Sequence, residues 1–182
     1  MRYVALLRGI NVGGKNKVSM TELRAAFETA GFKNVVTYIN SGNVLFDSNQ
    51  TDTAQLVRVC EELIEKTSGF QIVCSVISAL DLQSALENAP TWWGVDNGAK
   101  HNAIFVIAPH TSKEVMNEVG EAKAEYEKVF AYGPIIFWTA PLETFGRTRY
   151  KNIVGTSAYR YVTIRNSNTA KKLLELAFNE AA

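Results

Sequence analysis

RYVALLRGINVGGKNKVSMTELRAAFETAGFKNVVTYINSGNVLFD, residues 2–47, decides the fold. RYVALL (2–7) is short, apolar and closed by Arg8-Gly9, the pattern of a strand running into a turn. The loop Gly9–Lys17 follows. Ser19 then opens a helix, with Glu22 three residues on to complete a capping box. Met20, Leu23, Phe27 and Ala30 recur at helical spacing, and Gly31 stands where a left-handed C-cap belongs. NVVTYIN (34–40) and NVLFD (43–47) flank Ser41-Gly42, a hairpin signal.

Downstream, Thr51 or Asp52 caps a second helix whose inward stripe is Leu56, Val59, Cys60, Leu63 and Ile64. Gly69 ends it, and FQIVCSVI (70–77) supplies another strand. The order is β-α-β-β-α-β, that of the ferredoxin-like split unit. The second half repeats part of it less regularly. A helix over 78–89 precedes Pro90, the loop TWWGVDNGAKH is irregular, and NAIFVIA (102–108) is a strand. Thr111 and Glu114 form a capping box, a hairpin turns at Gly133-Pro134, and a strand over 159–164 leads to a closing helix from Thr169. The expected fold class is therefore α+β, a ferredoxin-like unit (1–78) followed by a second, less regular β-α-β-β-containing unit (79–182) packed with it as one compact body.

Composition bounds the rest. The chain has 182 residues, 47% hydrophobic and 20% charged, with net charge +1, ordinary values for a globular chain with a sizeable core. No apolar run approaches the length that spans a bilayer, and Met1 leads directly into a strand with no signal-peptide pattern. Cys60 and Cys74 sit in apolar patterns without CxxC spacing, which reads as buried thiols in a reducing, cytoplasmic compartment. With only His101 and His110 besides, no metal site or cofactor motif is indicated.

Charge is uneven. Met1–Thr21 holds Arg2, Arg8, Lys15 and Lys17 and no acid; Thr144–Lys172 holds Arg147, Arg149, Lys151, Arg160, Arg165, Lys171 and Lys172 and no acid. Acid-free basic segments in a nearly neutral chain attract phosphates and other anions. Gly9-x-x-x-x-Gly14-Lys15 has P-loop spacing after a strand. Against a P-loop, Asn16 stands where Ser or Thr ligates Mg²⁺, and the helix begins late. A loop that needs glycine for positive φ explains the same residues. In the turn Ser41-Gly42-Asn43, side chains either serve the turn or face a ligand beside the loop. Arg165-Asn166 precedes a helix N-terminus, where the same groups make an anion site or a structural cap. No GxSxG elbow or activated cysteine is present. Trp92-Trp93 is a stacking platform for a base or an interdomain anchor.

LLRGINVGGKNKVSMTELRAAFETAGFKNVVTYINSGNVLF (6–46) and TIRNSNTAKKL (163–173) resemble the bacterial family catalogued as domain of unknown function 1697. Its pattern places an aromatic residue after Arg-Asn, where this chain has Ser167. The resemblance implies an α+β fold with ferredoxin-like elements and carries no catalytic residue. The expectation is a binding protein in which Arg8, Asn11, Gly13, Gly14, Lys15, Ser41, Asn43, Arg165 and Asn166 converge on an anionic ligand: a nucleotide, nucleic acid or phosphorylated metabolite. An enzyme using the same surface without a metal, with Lys15 or Tyr38 moving the proton, and a protein-interaction module are the alternatives.

Overall fold

The computed structural model describes residues 1–179. In chain order the elements are β1 (Arg2–Leu7), α1 (Met20–Thr29), β2 (Lys33–Tyr38), β3 (Asn43–Asp47), α2 (Thr53–Ser68), β4 (Cys74–Ser78), α3 (Ala79–Glu87), β5 (Ala99–Val106), α4 (Ser112–Val119), β6 (Lys128–Tyr132), β7 (Ile135–Pro141), β8 (Val162–Asn166) and α5 (Ser167–Phe178), with 3-10 turns filling 145–161. The fold is mixed α+β, with two four-stranded antiparallel sheets ordered β2-β3-β1-β4 and β6-β7-β5-β8. Internal contacts divide the chain into two units: Met1–Leu80 with the chain from Leu173 onward, and Asp81–Lys172. Among the described residues no helix is long and apolar enough to cross a membrane.

Local signals account for the helix ends. The Ser19 hydroxyl accepts the Glu22 N–H (3.3 Å). Asp52, rather than Thr51, caps α2 by accepting from Ala54 and Gln55 N–H, and Gly69 closes it at φ 81°. The Thr111–Glu114 capping box is complete, with the Thr111 N–H and hydroxyl donating to the Glu114 carboxylate. Those bonds hold the Glu114 carboxyl below the usual carboxylate range.

Several boundaries move. β4 begins at Cys74 rather than Phe70, because the ladder with β1 ends at the Leu7–Cys74 pair and continues only as one bond, from the Arg8 N–H to the Val73 carbonyl. β5 starts at Ala99, three residues earlier than the apolar run, since Ala99–His101 pair with Thr139–Pro141. Residues 159–161 are a 3-10 turn and β8 starts at Val162; α5 begins at Ser167 rather than Thr169, with the Asn166 side chain accepting the Thr169 N–H (2.8 Å).

The core of the first unit is built on Tyr3, Phe27 and Phe46, all buried, with Phe27 and Phe46 at 5.4 Å edge to face. In the second, Ile104, Ile136 and Trp138 of the sheet pack with Val115 of α4 and Tyr150 of the 3-10 segment. The Glu127 carboxylate is buried there and accepts three backbone N–H groups, from Lys123 (3.0 Å), Arg149 (2.6 Å) and Tyr150 (3.1 Å). It therefore tethers the 3-10 segment to the turn that leads into β6, doing the work of a helix cap from a distant part of the sequence.

Burial, and secondarily the Glu127 charge, pushes the Tyr150 phenol up to about 12. The folded chain thus keeps this proton at a pH where the unfolded chain, with a phenol near 10, has lost it. The stability held by the neutral phenol is complete below about pH 10 and falls as pH rises toward 12. Denaturation midpoints should drop over that interval, and Tyr150→Phe should flatten part of the drop. An identical pH profile in the variant would contradict this assignment.

The two sheets have the same register. Leu6 sits between Asn43 and Ser75; Phe105 sits between Ile135 and Thr163. One residue on, Leu7 N–H donates to Gly42 C=O and Val106 N–H to Pro134 C=O, both at 2.8 Å; then Arg8 N–H donates to Val73 C=O and Ile107 N–H to Tyr161 C=O. The N-caps Ser19 and Thr111 hold equivalent places. The second unit is therefore more regular than its sequence indicates, with 3-10 turns standing where the first has α2. One difference is large. Leu7 and Ser19 are joined by eleven residues, Arg8–Val18, whereas Val106 and Thr111 are joined by four, Ile107–His110.

Candidate functional site

Arg8–Val18 folds as a small hairpin, not as a phosphate cradle. Val12 and Lys15 form a bridge, with the Lys15 N–H on the Val12 carbonyl (3.1 Å), and Gly13 and Gly14 between them at φ 58° and 76°. Two successive positive φ angles make a mirror-image tight turn, which glycine adopts without steric cost. In a P-loop the N–H groups surround the anion and a helix follows at once; here α1 waits until Met20.

Two asparagines hold the hairpin in place. Asn11, at φ 54°, accepts the Val18 N–H (2.9 Å) and donates to the Val18 carbonyl (3.0 Å) and to the Asn40 carbonyl (2.8 Å). Asn16, at φ 49°, donates to the Gly9 carbonyl (3.0 Å), and its own carbonyl accepts the Asn11 N–H (3.1 Å). The Asn11–Asn40 bond makes the loop a neighbour of the β2–β3 turn. In that turn Asn43 is fully buried, its amide donating to the Tyr38 carbonyl (3.0 Å) and the Ser41 hydroxyl (3.2 Å). Gly42 is enclosed by Leu7 and Ile10.

The expected site residues thus divide by role. Gly13, Gly14 and Lys15 are exposed at the hairpin tip. Asn11 and Asn43 are committed to backbone groups, and Ser41 is half-buried beside Asn43. Arg8 is half-buried and faces Glu61, whose carboxyl is raised by burial and lowered in part by the Cys74 N–H bond and the Arg8 charge. Arg165 and Asn166 belong to the second unit, at the end of β8. Arg165 donates to the Ile164 carbonyl (2.9 Å), and Asn166 caps α5. Lys15 is exposed to solvent at the tip. Trp93 packs within the second unit: its indole N–H donates to the Asn102 carbonyl (2.8 Å) and its ring packs edge to face on Phe137.

Lys17 and Val12, both exposed on the hairpin, extend the site. Lys17 was visible in the acid-free run of residues 1–21; no pattern distinguishes Val12, an apolar residue among polar ones, from a core residue. Two cavities lie elsewhere. One of about 500 Å³ runs along α2 past Arg58, Glu61 and Gln71, and one of about 240 Å³ in the second unit lies against Trp92 and Tyr126. Among the described residues no three His, Cys, Asp or Glu side chains gather to hold a metal ion.

A model of the family described as protein of unknown function (DUF1697) matches residues 1–137. No curated protein matches the chain. The solved structure of conserved bacterial protein SP0830 from Streptococcus pneumoniae is similar over 97% of this chain and 98% of its own, at 36% identity and a TM-score of 0.84. With three quarters of its length on the family model and its whole fold on that structure, the chain belongs to the DUF1697 family of proteins of unknown function.

Proposed function

We propose that the protein binds a polyanion, a single-stranded nucleic acid, through the hairpin Asn11–Lys17. The observation that carries this is a pair of exposed lysines, Lys15 and Lys17, on a tip fixed by two asparagines, in a segment for which the matching connection of the second unit has no counterpart. A seven-residue excess that the same sheet register does without is not required by the sheet, and a basic, pre-ordered excess is suited to phosphates. Exposed lysines on flexible stems are point charges that track a phosphate backbone. Val12, 66% exposed beside them, offers apolar surface to a base or sugar.

The sheet order β2-β3-β1-β4 also supports a ferredoxin-like description of the first unit, and its register match supports the same description of the second. Two free, buried cysteines fit a cytoplasmic setting.

The test is fluorescence anisotropy of a labelled single-stranded RNA across a salt series, with ATP as a competitor. Binding should weaken linearly on a log–log plot, and Lys15→Ala/Lys17→Ala should lower the slope by about 1.4, the release of two counterions from a single strand. An unchanged slope in the variant would remove the hairpin from the binding site. Displacement of the RNA by equimolar ATP would favour a nucleotide over a polymer.

A further inference from the structure

β6 is an edge strand, and it is unprotected. Its counterpart in the first unit, β2, is blunted: its register shifts between Lys33 and Val36, Asn34 sits at φ 49°, and the Asn34 carbonyl is taken by Arg2 (2.6 Å). Bulges and occupied carbonyls of this kind stop another strand from adding. β6 has neither. Its five residues pair with β7 in unbroken register, and on one face it exposes Lys128, Phe130 and Tyr132, with Phe130 43% and Tyr132 38% accessible.

We propose that β6 is the seam of a homodimer, formed by antiparallel pairing of β6 with β6 of a second copy about a two-fold axis at Phe130. The hydrogen-bond parity of the strand fits that register. Tyr132 and Ile135 close the two-residue turn Gly133-Pro134, so the Tyr132, Phe130 and Lys128 backbone groups point to β7. Those of Val129 and Ala131 point outward. In the two-fold register Val129 of one protomer meets Ala131 of the other, so the outward groups pair with each other, twice. Phe130 then meets its own copy in a non-hydrogen-bonded pair, where side chains come closest. Lys128 meets Tyr132 of the other protomer, a cation against an aromatic face. The strand is complementary to itself in backbone parity and in aromatic contact, with each lysine set against a tyrosine ring. The β6-β7-β5-β8 sheet of one protomer then continues into that of its partner, and the same strand serves both sides of the interface, as an isologous contact requires.

Cysteine cross-linking tests this at the residue on the axis. Non-hydrogen-bonded antiparallel pairs hold Cα atoms about 4.5 Å apart, within the reach of a disulfide. The natural thiols Cys60 and Cys74 are fully buried. Under mild oxidation of the full chain, Phe130→Cys should form disulfide dimer on the order of tenfold faster than Leu142→Cys or Val154→Cys, whose sites are at least as exposed. Adding Ala131→Pro, which removes an outward N–H and leaves the β6–β7 ladder whole, should abolish that advantage. Adding Tyr132→Lys instead, which sets two lysines opposite each other, should do the same and serves should the proline variant not fold. Equal rates at all three cysteine sites, or a rate indifferent to Tyr132→Lys, would overturn the proposal.

Discussion

Gly42→Ala is expected to destabilise the protein by about 3 kcal/mol, read as a fall in urea midpoint at unchanged slope. Two costs add. The residue sits at φ 84°, where an alanine loses on the order of 1 kcal/mol relative to glycine. Its new Cβ would lie 2.7 Å from Ile10 Cδ1 and 2.8 Å from Leu7 Cβ, and relieving such overlap in a packed core costs about 1–3 kcal/mol. Leu7 cannot withdraw, because it is fully buried and its N–H is bonded to the Gly42 carbonyl at 2.8 Å. Gly133→Ala is the matched control: φ is again positive, at 54°, but nothing lies within 4 Å of the added atom. It should cost only the backbone share, about 1 kcal/mol. Equal losses at the two glycines would mean that packing around Gly42 contributes nothing.

Glu127→Ala should cost about 4 kcal/mol. Three backbone N–H groups lose their acceptor at once, and each buried donor left unpaired costs about 1–3 kcal/mol, less where water enters the cavity vacated by the side chain. Glu127→Gln should fall between the variant and the parent, since the amide oxygen keeps some of the bonds while its NH₂ faces a donor. Hydrogen exchange localises the effect: protection should be lost first at Arg149 and Tyr150, at the head of the 3-10 segment. A Gln variant as unstable as the Ala variant would show that space filling, not hydrogen bonding, is what Glu127 provides.

The parts of this protein legible in its sequence are those specified locally. Ser19, Thr111 and Gly69 mark helix ends because cap chemistry acts over three or four residues, and Ser41-Gly42 and Gly133-Pro134 mark hairpins for the same reason. Segments whose pairing is set by distant partners were misplaced. Phe70–Val73 has the composition of a strand but lies beyond the ladder with β1, held by the single bond from Arg8 to Val73, and Tyr159–Tyr161 coils as a 3-10 turn. The matching registers of the two sheets left no residue-level trace, since Asn43 answers to Ile135 and Gly42 to Pro134. In the candidate site, the basic loop was found from charge and glycine spacing. The roles of its asparagines were not, because the Asn11–Asn40 bond joins residues far apart in the chain. No sequence pattern sets Glu127 apart from the other acids of residues 114–127; only burial distinguishes it.

The hairpin Asn11–Lys17 is the part of the first unit that the common register does not need, and on it the proposed binding depends. Its ends lie close together, with Asn11 bonded to Asn16 and Val18, so Gly-Gly can replace the whole segment. The decisive measurement is the affinity of that shortened protein for single-stranded RNA at low salt, made on a variant that still melts cooperatively. A folded variant whose affinity has fallen at least about tenfold, the loss of two phosphate contacts, is the predicted result. A folded variant that binds as tightly as the parent would contradict it.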